Sequence, residues 1–442
     1  MGTSRRQFLT LASMGAVGAG LGLAGCSRGG GGTGGGGGGG GGESGDATSL
    51  TFTWWGNEVR NANTTEFVAA YLEASPDVSI EEQPGEWASY WDRLATQTAG
   101  NTAPDVIQMD MAYITEYGAR GALLDLAEHG IDTSQFVEGT AESGVLEGQT
   151  FGVSAGINTP TIMVDAELIT GLGVEVPDDM TWTWDDWLEL ATAISDASGG
   201  EVIGTSTFIS NDAMMSAWLR QQGKELFVEG NQLGFTVEDV TRWLEFHQRF
   251  ADAGAIPSAS EITEDSSVAF DQGQFIVGRT AMAMYWSNQL EAAESASGKT
   301  ITMLRFPSID GDATTRKAWY KASMLWSVSA RTANPEAAVE FINWIINSPE
   351  AAEIDLAERG IPANTEVAAA VESMLSEPQQ RVLQLINDIV PELGETPIAP
   401  PPGGGQFGSL LLRYATDMLF GNLDAAGAAQ GFHDELTAAI GG

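Results

Sequence analysis

Residues 104–126 read PDVIQMDMAYITEYGARGALLDL. Val106, Ile107 and Met109 make a short, mostly apolar run that Pro104 precedes and Asp110 ends, the pattern of a buried strand with a carboxylate at its carboxyl end. The residues after Asp110 suit a helix that stops at Gly121, and Leu123, Leu124 and Leu126 then pack back. In an open α/β sheet a ligand sits in the crevice outside the carboxyl ends of the strands, where Asp110, Met111 and Tyr113 fall. Asp110 equally suits a helix cap, and position alone does not separate the two roles.

Outward from that stretch, composition narrows the class. The chain has 442 residues, enough for two or three domains, and 13 Trp with 17 Phe imply well-packed cores. Sixty acidic against twenty basic residues leave a net charge of −40, which argues against nucleic acid as a partner and disfavours polyanions. The single cysteine, Cys26, rules out intrachain disulfides, and three scattered histidines do not suggest a metal centre. No metal and no cofactor are expected.

Residues 1–26 read as an address. Ser4-Arg5-Arg6-Gln7-Phe8-Leu9 has the twin-arginine export pattern, an apolar Gly/Ala-rich run follows, and Leu23-Ala24-Gly25-Cys26 looks like a lipoprotein cleavage box. Residues 27–47 form a Gly-rich tether; its 29–42 portion, glycine except for Thr33, reaches about 20 Å. The expectation is a body held at the outer face of a membrane through lipid on Cys26, with no apolar run of the roughly 20 residues a span needs.

The body alternates strand and helix patterns. Residues 50–55, LTFTWW, suggest a first strand whose following turn exposes Trp55, Asn57 and Glu58. Helices are expected over 63–75, 182–195, 236–254 and 335–347, with Thr183…Asp186 and Thr236…Asp239 as capping-box starts. Trp87, Tyr90, Trp91 and Leu94 follow helical spacing; Trp91 reads as core and Trp87 as nearer a cleft. Strands are expected over 78–82, 281–285, 301–307 and 318–330, with Trp286 and Asn288 just beyond the second of these. Gly152-Val153-Ser154-Ala155-Gly156 matches the serine-hydrolase G-x-S-x-G pattern. A strand-like run follows where the nucleophile elbow needs a helix, so Ser154 is rejected. Residues 397–405 form a Pro/Gly loop too long and stiff for a mere connector.

The order of these features resembles the extracellular sugar-binding lipoproteins, the maltose-binding-protein-like solute-binding proteins (family 1) of ATP-binding-cassette (ABC) importers. The segments that carry the resemblance are Trp54-Trp55-Gly56, Ala103-Pro104-Asp105-Val106, Gly148-Gln149-Thr150-Phe151-Gly152-Val153, Thr183-Trp184-Asp185-Asp186, FDQGQFIVGRTAMAM at 270–284, Asn334-Pro335-Glu336-Ala337-Ala338 and Gly360-Ile361-Pro362. Two positions depart from the pattern: Val164-Asp165 stands where many members have Tyr-Asn, and Trp286 is displaced by two residues from the usual stacking position.

The resemblance implies a two-lobed α/β periplasmic-binding-protein-like fold of class II type, with a ligand cleft between lobes joined by a hinge. Residues 48–157 and 320–362 would make the N-terminal lobe, and 158–319 with 363–442 the C-terminal lobe. It also implies a monomer that binds a sugar or oligosaccharide and docks on the permease subunits of an ABC importer. A sugar needs aromatic platforms for its CH faces and polar partners for its hydroxyls. The platforms expected are Trp55, Trp87, Tyr113, Trp286, Trp319 and Phe407; the polar contacts are Asn57, Glu58, Asp110, Asn158, Asn288, Tyr320 and Arg359. Two rivals stand beside this: a carbohydrate enzyme using paired carboxylates, and a two-lobed binder of another solute such as a polyamine.

Overall fold

The computed structural model describes residues 48–56, 58–137 and 139–441; the export signal, Cys26 and Asn57 lie outside them. Strand β1 (Thr48–Trp55) pairs in parallel with β2 (Val78–Gly85), with Phe52 opposite Glu82, and on its other side with β3 (Val106–Met109), with Phe52 opposite Val106. Every residue of β3 is buried, as a nearly continuous apolar run requires at the centre of a sheet. Its one polar residue, Gln108, donates to Trp55 O at 3.1 Å and accepts from Arg359 Nε at 3.0 Å, so its amide is satisfied in the core.

Helix α1 (Glu58–Ala74) joins β1 to β2, and α2 (Trp87–Ala99) joins β2 to β3. Helix α1 starts five residues before the sequence pattern places it, which makes Glu58 its first residue rather than part of an open turn. Asp110 follows β3 directly and caps α3 (Met111–Ala119).

Later strands complete two sheets. Strands β4 (Val153–Ser154), β5 (Ile157–Asn158) and β6 (Pro160–Val164) follow one another closely; β7 (Met282–Trp286) and β8 (Thr302–Leu304) come next, then β9 (Lys321–Ala322) and β10 (Leu325–Val328). The first sheet has the order β2-β1-β3-β10-β4, and the second is β7-β6-β8. The expected long strand over 318–330 is therefore two short ones. Strand β9 pairs with β5, and β10 pairs antiparallel with β3.

The two sheets carry separate cores. Phe52, Trp54, Phe67, Tyr71, Trp326 and Phe341 pack around the first. Trp182, Trp187, Phe208, Trp243 and Phe250 pack beside the second, with α4 (Trp184–Ala197), α5 (Asp212–Arg220), α6 (Val237–Asp252) and a final pair, α7 (Phe407–Leu419) and α8 (Ala425–Ile440). Each fully buried large side chain contributes about 1.5–3 kcal/mol. Both expected capping boxes form: Thr183 with Asp186 starts α4, and Thr236 with Asp239 starts α6.

Between the sheets, three passages of chain lie side by side. Asn158 pairs with Lys321, and Ile157 bridges Ile361. Glycine is required there for two reasons. A Cβ on Gly156 would sit 2.3 Å from Arg359 O, and Gly360 holds φ +94° with Ile157 O only 2.8 Å from where its Cβ would be. The Ser154 hydroxyl is buried at this crossing and donates to Gly156 O at 2.8 Å, between two strands, which suits a structural serine rather than a nucleophile.

Candidate functional site

Two openings lie between the sheets. One, of about 760 Å³ and open to solvent, takes Asp110, Met111 and Ala112 from the start of α3 on one side. Opposite stand Asp212 and Ser216 from the start of α5, Glu225, Trp286, Trp319 to Lys321, and Thr396 to Ile398 with Pro400. A second opening of about 980 Å³ is lined by Val59 from α1 and by Asn288, Glu291, Glu358 and Gln379.

Local chemistry sets each side chain. Asp110 Oδ1 accepts from Ala112 N at 2.8 Å, so the residue caps α3, and it also lines the cleft. Trp286 ends β7, with its backbone N–H held by Gln289 Oε1 at 3.0 Å, and its indole stays partly open. The ammonium of Lys321 lies 4.7 Å from the centre of that ring, a cation–π contact. Trp319 is backed by the Arg220 guanidinium at 5.2 Å. Burial raises the Glu225 carboxyl above its ordinary range, and Arg220, 3.5 Å away, opposes that shift. The Tyr320 hydroxyl donates to Ile386 O at 2.6 Å, and burial pushes its pKa up to about 12, so it stays protonated.

A group of aromatic rings flanks the start of α3. Trp91 stacks on Tyr113 with centroids 3.8 Å apart, and Trp87 meets Trp55 edge-on at 5.1 Å. Trp87 is 46 % exposed although tryptophan is costly to leave in water. Burial, with Asp110 as the next cause, raises the pKa of Tyr113. The arrangement offers ring faces, the carboxylates of Asp110, Asp212 and Glu225, and the ammonium of Lys321. Among the described residues no cluster of three or more His, Cys, Asp or Glu could hold a metal ion.

Comparison with known proteins agrees with this geometry. The sequence model of the family described as bacterial extracellular solute-binding protein matches residues 66–379. The chain belongs to that family. This solute-binding protein is similar in structure to an extracellular solute-binding protein family 1 member from Alicyclobacillus acidocaldarius (TM-score 0.70, 24 % identity, 90 % of this chain and 100 % of that one). It also matches a periplasmic oligogalacturonide binding protein from Yersinia enterocolitica (TM-score 0.75, 18 % identity, 89 % and 99 %). A third match is an ABC substrate-binding protein from Listeria monocytogenes in complex with cycloalternan (TM-score 0.72, 19 % identity, 90 % and 100 %). The fold is the two-lobed one, with a cleft between lobes joined by a hinge.

Of the residues expected to touch ligand in this solute-binding protein, Asp110, Trp286, Trp319 and Tyr320 line the first opening, and Asn288 lines the second. Asn158 Nδ2 donates to Asn288 Oδ1 at 2.9 Å, which ties β5 to the segment after β7. Tyr113 and Trp87 lie in the aromatic group beside Asp110, and Glu58 is exposed at the start of α1.

Four placements differ from those expected. Arg359 is 1 % exposed and its three nitrogens serve Gln108, Asp355 and Thr64, with Phe67 and Trp326 rings beside it; it braces the first lobe's core. Phe407 packs edge-on to Phe432 at 5.3 Å, because the first turn of α7 turns inward and buries it. Trp55 is buried beneath Trp87, whereas Trp91, expected in the core, is only half-buried and stacks on Tyr113. The sequence reading missed Asp212, Ser216, Glu225 and Lys321. Lysine scarcity was the available signal for one of them: the chain has only four, and Lys321 sits on β9, at the crossing between the sheets.

Proposed function

We propose that the protein captures a sugar or oligosaccharide between its lobes and delivers it to the permease subunits of an ABC importer, acting as a binding protein without covalent chemistry. The observation that carries this is the convergence of Asp110 from one lobe with Trp286 and Trp319 from the other on one cleft. Ring faces cover the CH surfaces of a sugar, while Asp110, Asn288 and Lys321 meet its hydroxyl rim. Contacts to both lobes are what a closing hinge needs, since a ligand shifts the open–closed equilibrium only by its differential affinity.

The lobes divide at 48–157 with 320–362 and 158–319 with 363–442. Residues 1–26 direct twin-arginine export, Cys26 carries lipid, and the Gly-rich segment lets a monomeric body work beside the membrane. The test is isothermal titration against a panel of mono- and oligosaccharides, with spermidine as the cationic control, followed by Trp286→Ala and Asp110→Asn. Asparagine keeps the helix cap and removes the charge. Each variant is expected to weaken the best sugar at least tenfold, about 1.4 kcal/mol. Parent-like affinity in both would place the site elsewhere, and release of shortened products on long incubation would make the protein an enzyme.

A further inference from the structure

The Pro/Gly segment 394–406 is not used by the reading above, yet it lines the cleft. Its ends belong to the second lobe: Gly394 N donates to Ala318 O at 2.8 Å, Arg220 donates to Glu395 O, and Phe407 is buried among Phe235 and Phe432. At Gly403, φ is +85° and a Cβ would stand 2.2 Å from Ala439 O, which pins the exit against α8.

Its middle reaches across. The Thr396 hydroxyl donates to Gly139 O at 2.7 Å, and Ala399 packs on the cluster that holds Trp55, Met109 and Ile114. Between these contacts, Pro397, Ile398 and Pro400 line the opening that contains Asp110 and Trp286, and none of the segment lines the opening beside Asn288. Four of the six residues 397–402 are proline, so the backbone has little freedom to swing aside. Ile398 is 47 % exposed on this wall, an apolar face available to a ligand.

We propose that residues 396–402 form an end wall that makes the protein recognise the terminus of a saccharide chain, with the rest of the chain leaving past Asn288. The wall also ties the lobes together when no ligand is bound. The first part rests on the sugar reading; the second does not. A terminal sugar placed between Asp110 and Trp286 meets Pro397, Ile398 and Pro400 on one side, so a substituent on that terminus collides with a stiff backbone. A substituent on the opposite terminus lies toward the Asn288 opening and is free.

Two measurements on the full chain separate the parts. The best linear oligosaccharide of the panel is prepared with a bulky tag on either its reducing or its non-reducing end, and each form is titrated. The parent is expected to lose at least tenfold with one tag and less than threefold with the other. In a variant carrying Pro397→Gly, Ile398→Ser, Ala399→Gly, Pro400→Ser and Pro401→Gly, that discrimination should fall below threefold. Equal tolerance or equal rejection of the two tags by the parent overturns terminal recognition. Unchanged discrimination in the variant overturns the assignment to this wall.

Independently of any ligand, spin labels at Glu81→Cys and Glu238→Cys in a Cys26→Ser background report the distance between lobes. Thr396→Val and the multiple variant are each expected to broaden the ligand-free distribution toward longer distances; a distribution identical to the parent's overturns the tie. If no saccharide binds the parent, the sugar reading and terminal recognition fall together, and the distance measurement still decides the tie.

Discussion

Asp110 and Arg359 show how two charged candidates reach different outcomes. Both were polar candidates, yet Asp110 sits where a strand ends and keeps a face on the cleft, whereas Arg359 is enclosed by Thr64, Gln108 and Asp355. A buried guanidinium needs partners on every side, and only the fold can supply them. His247 raises a related point. It is fully buried among Phe208, Trp243 and Phe250 with Nδ1 3.0 Å from Trp243 O, and burial lowers its pKa from 6.5 to about 3. Between those values the unfolded chain binds a proton that the native protein does not, so stability rises with pH there. The contribution is complete above pH 6.5 and lost as pH falls toward about 3, at up to about 1.4 kcal/mol per pH unit. In urea melts at pH 7.5 and 4.5, His247→Leu should lose about 2–3 kcal/mol less than the parent over that interval. An equal loss in both would show that the histidine is protonated, or solvated, in the native state.

At the scale of elements, the crossing between the two sheets is the most demanding part. Gly156 and Gly360 let the passages at 156–158 and 360–361 approach so closely that backbone oxygen occupies the space of a Cβ. Gly156→Ala and Gly360→Ala should each cost about 1–3 kcal/mol, because the strands must separate or strain. Gly171→Ala, at the end of a short helix with nothing within 4 Å of the added methyl, is the control and should stay within about 0.5 kcal/mol. Denaturant midpoints check the comparison, and a crossing variant as stable as the control would mean that the crossing is loose. Capping boxes at Thr183 and Thr236 were legible because the pattern and the chemistry occupy four consecutive residues. Strand lengths at 318–330 were not, since the break at 323–324 depends on which sheet each half joins.

For the whole molecule, charge and the proposed lipid on Cys26 bear on where the protein works. A chain with net charge −40 is repelled by anionic headgroups beyond short range, so a covalent lipid, rather than surface attraction, would be needed to hold it at a membrane. No helix among the described residues is long and apolar enough to cross one. Cys26→Ser should therefore move the protein from the membrane pellet to the soluble fraction by more than tenfold while leaving sugar affinity unchanged. Fractionation and titration check both halves, and persistence in the pellet would point to a different anchor.

Sequence alone was enough for the class of fold, because strand and helix periodicities, capping boxes and the ordered motifs from Trp54 to Pro362 are local or linear signals. It also put Asp110 and Trp286 just at strand ends, where both now line one opening, but the same position left Trp55 buried, so a strand end alone does not say which way a side chain faces. Tertiary structure alone decided that Arg359 and Phe407 face inward, that Lys321 and Asp212 face the cleft, and that a proline-rich connector becomes one of its walls. Those outcomes depend on which surfaces meet when distant segments pack, and burial is a property of that meeting rather than of any residue's neighbours along the chain.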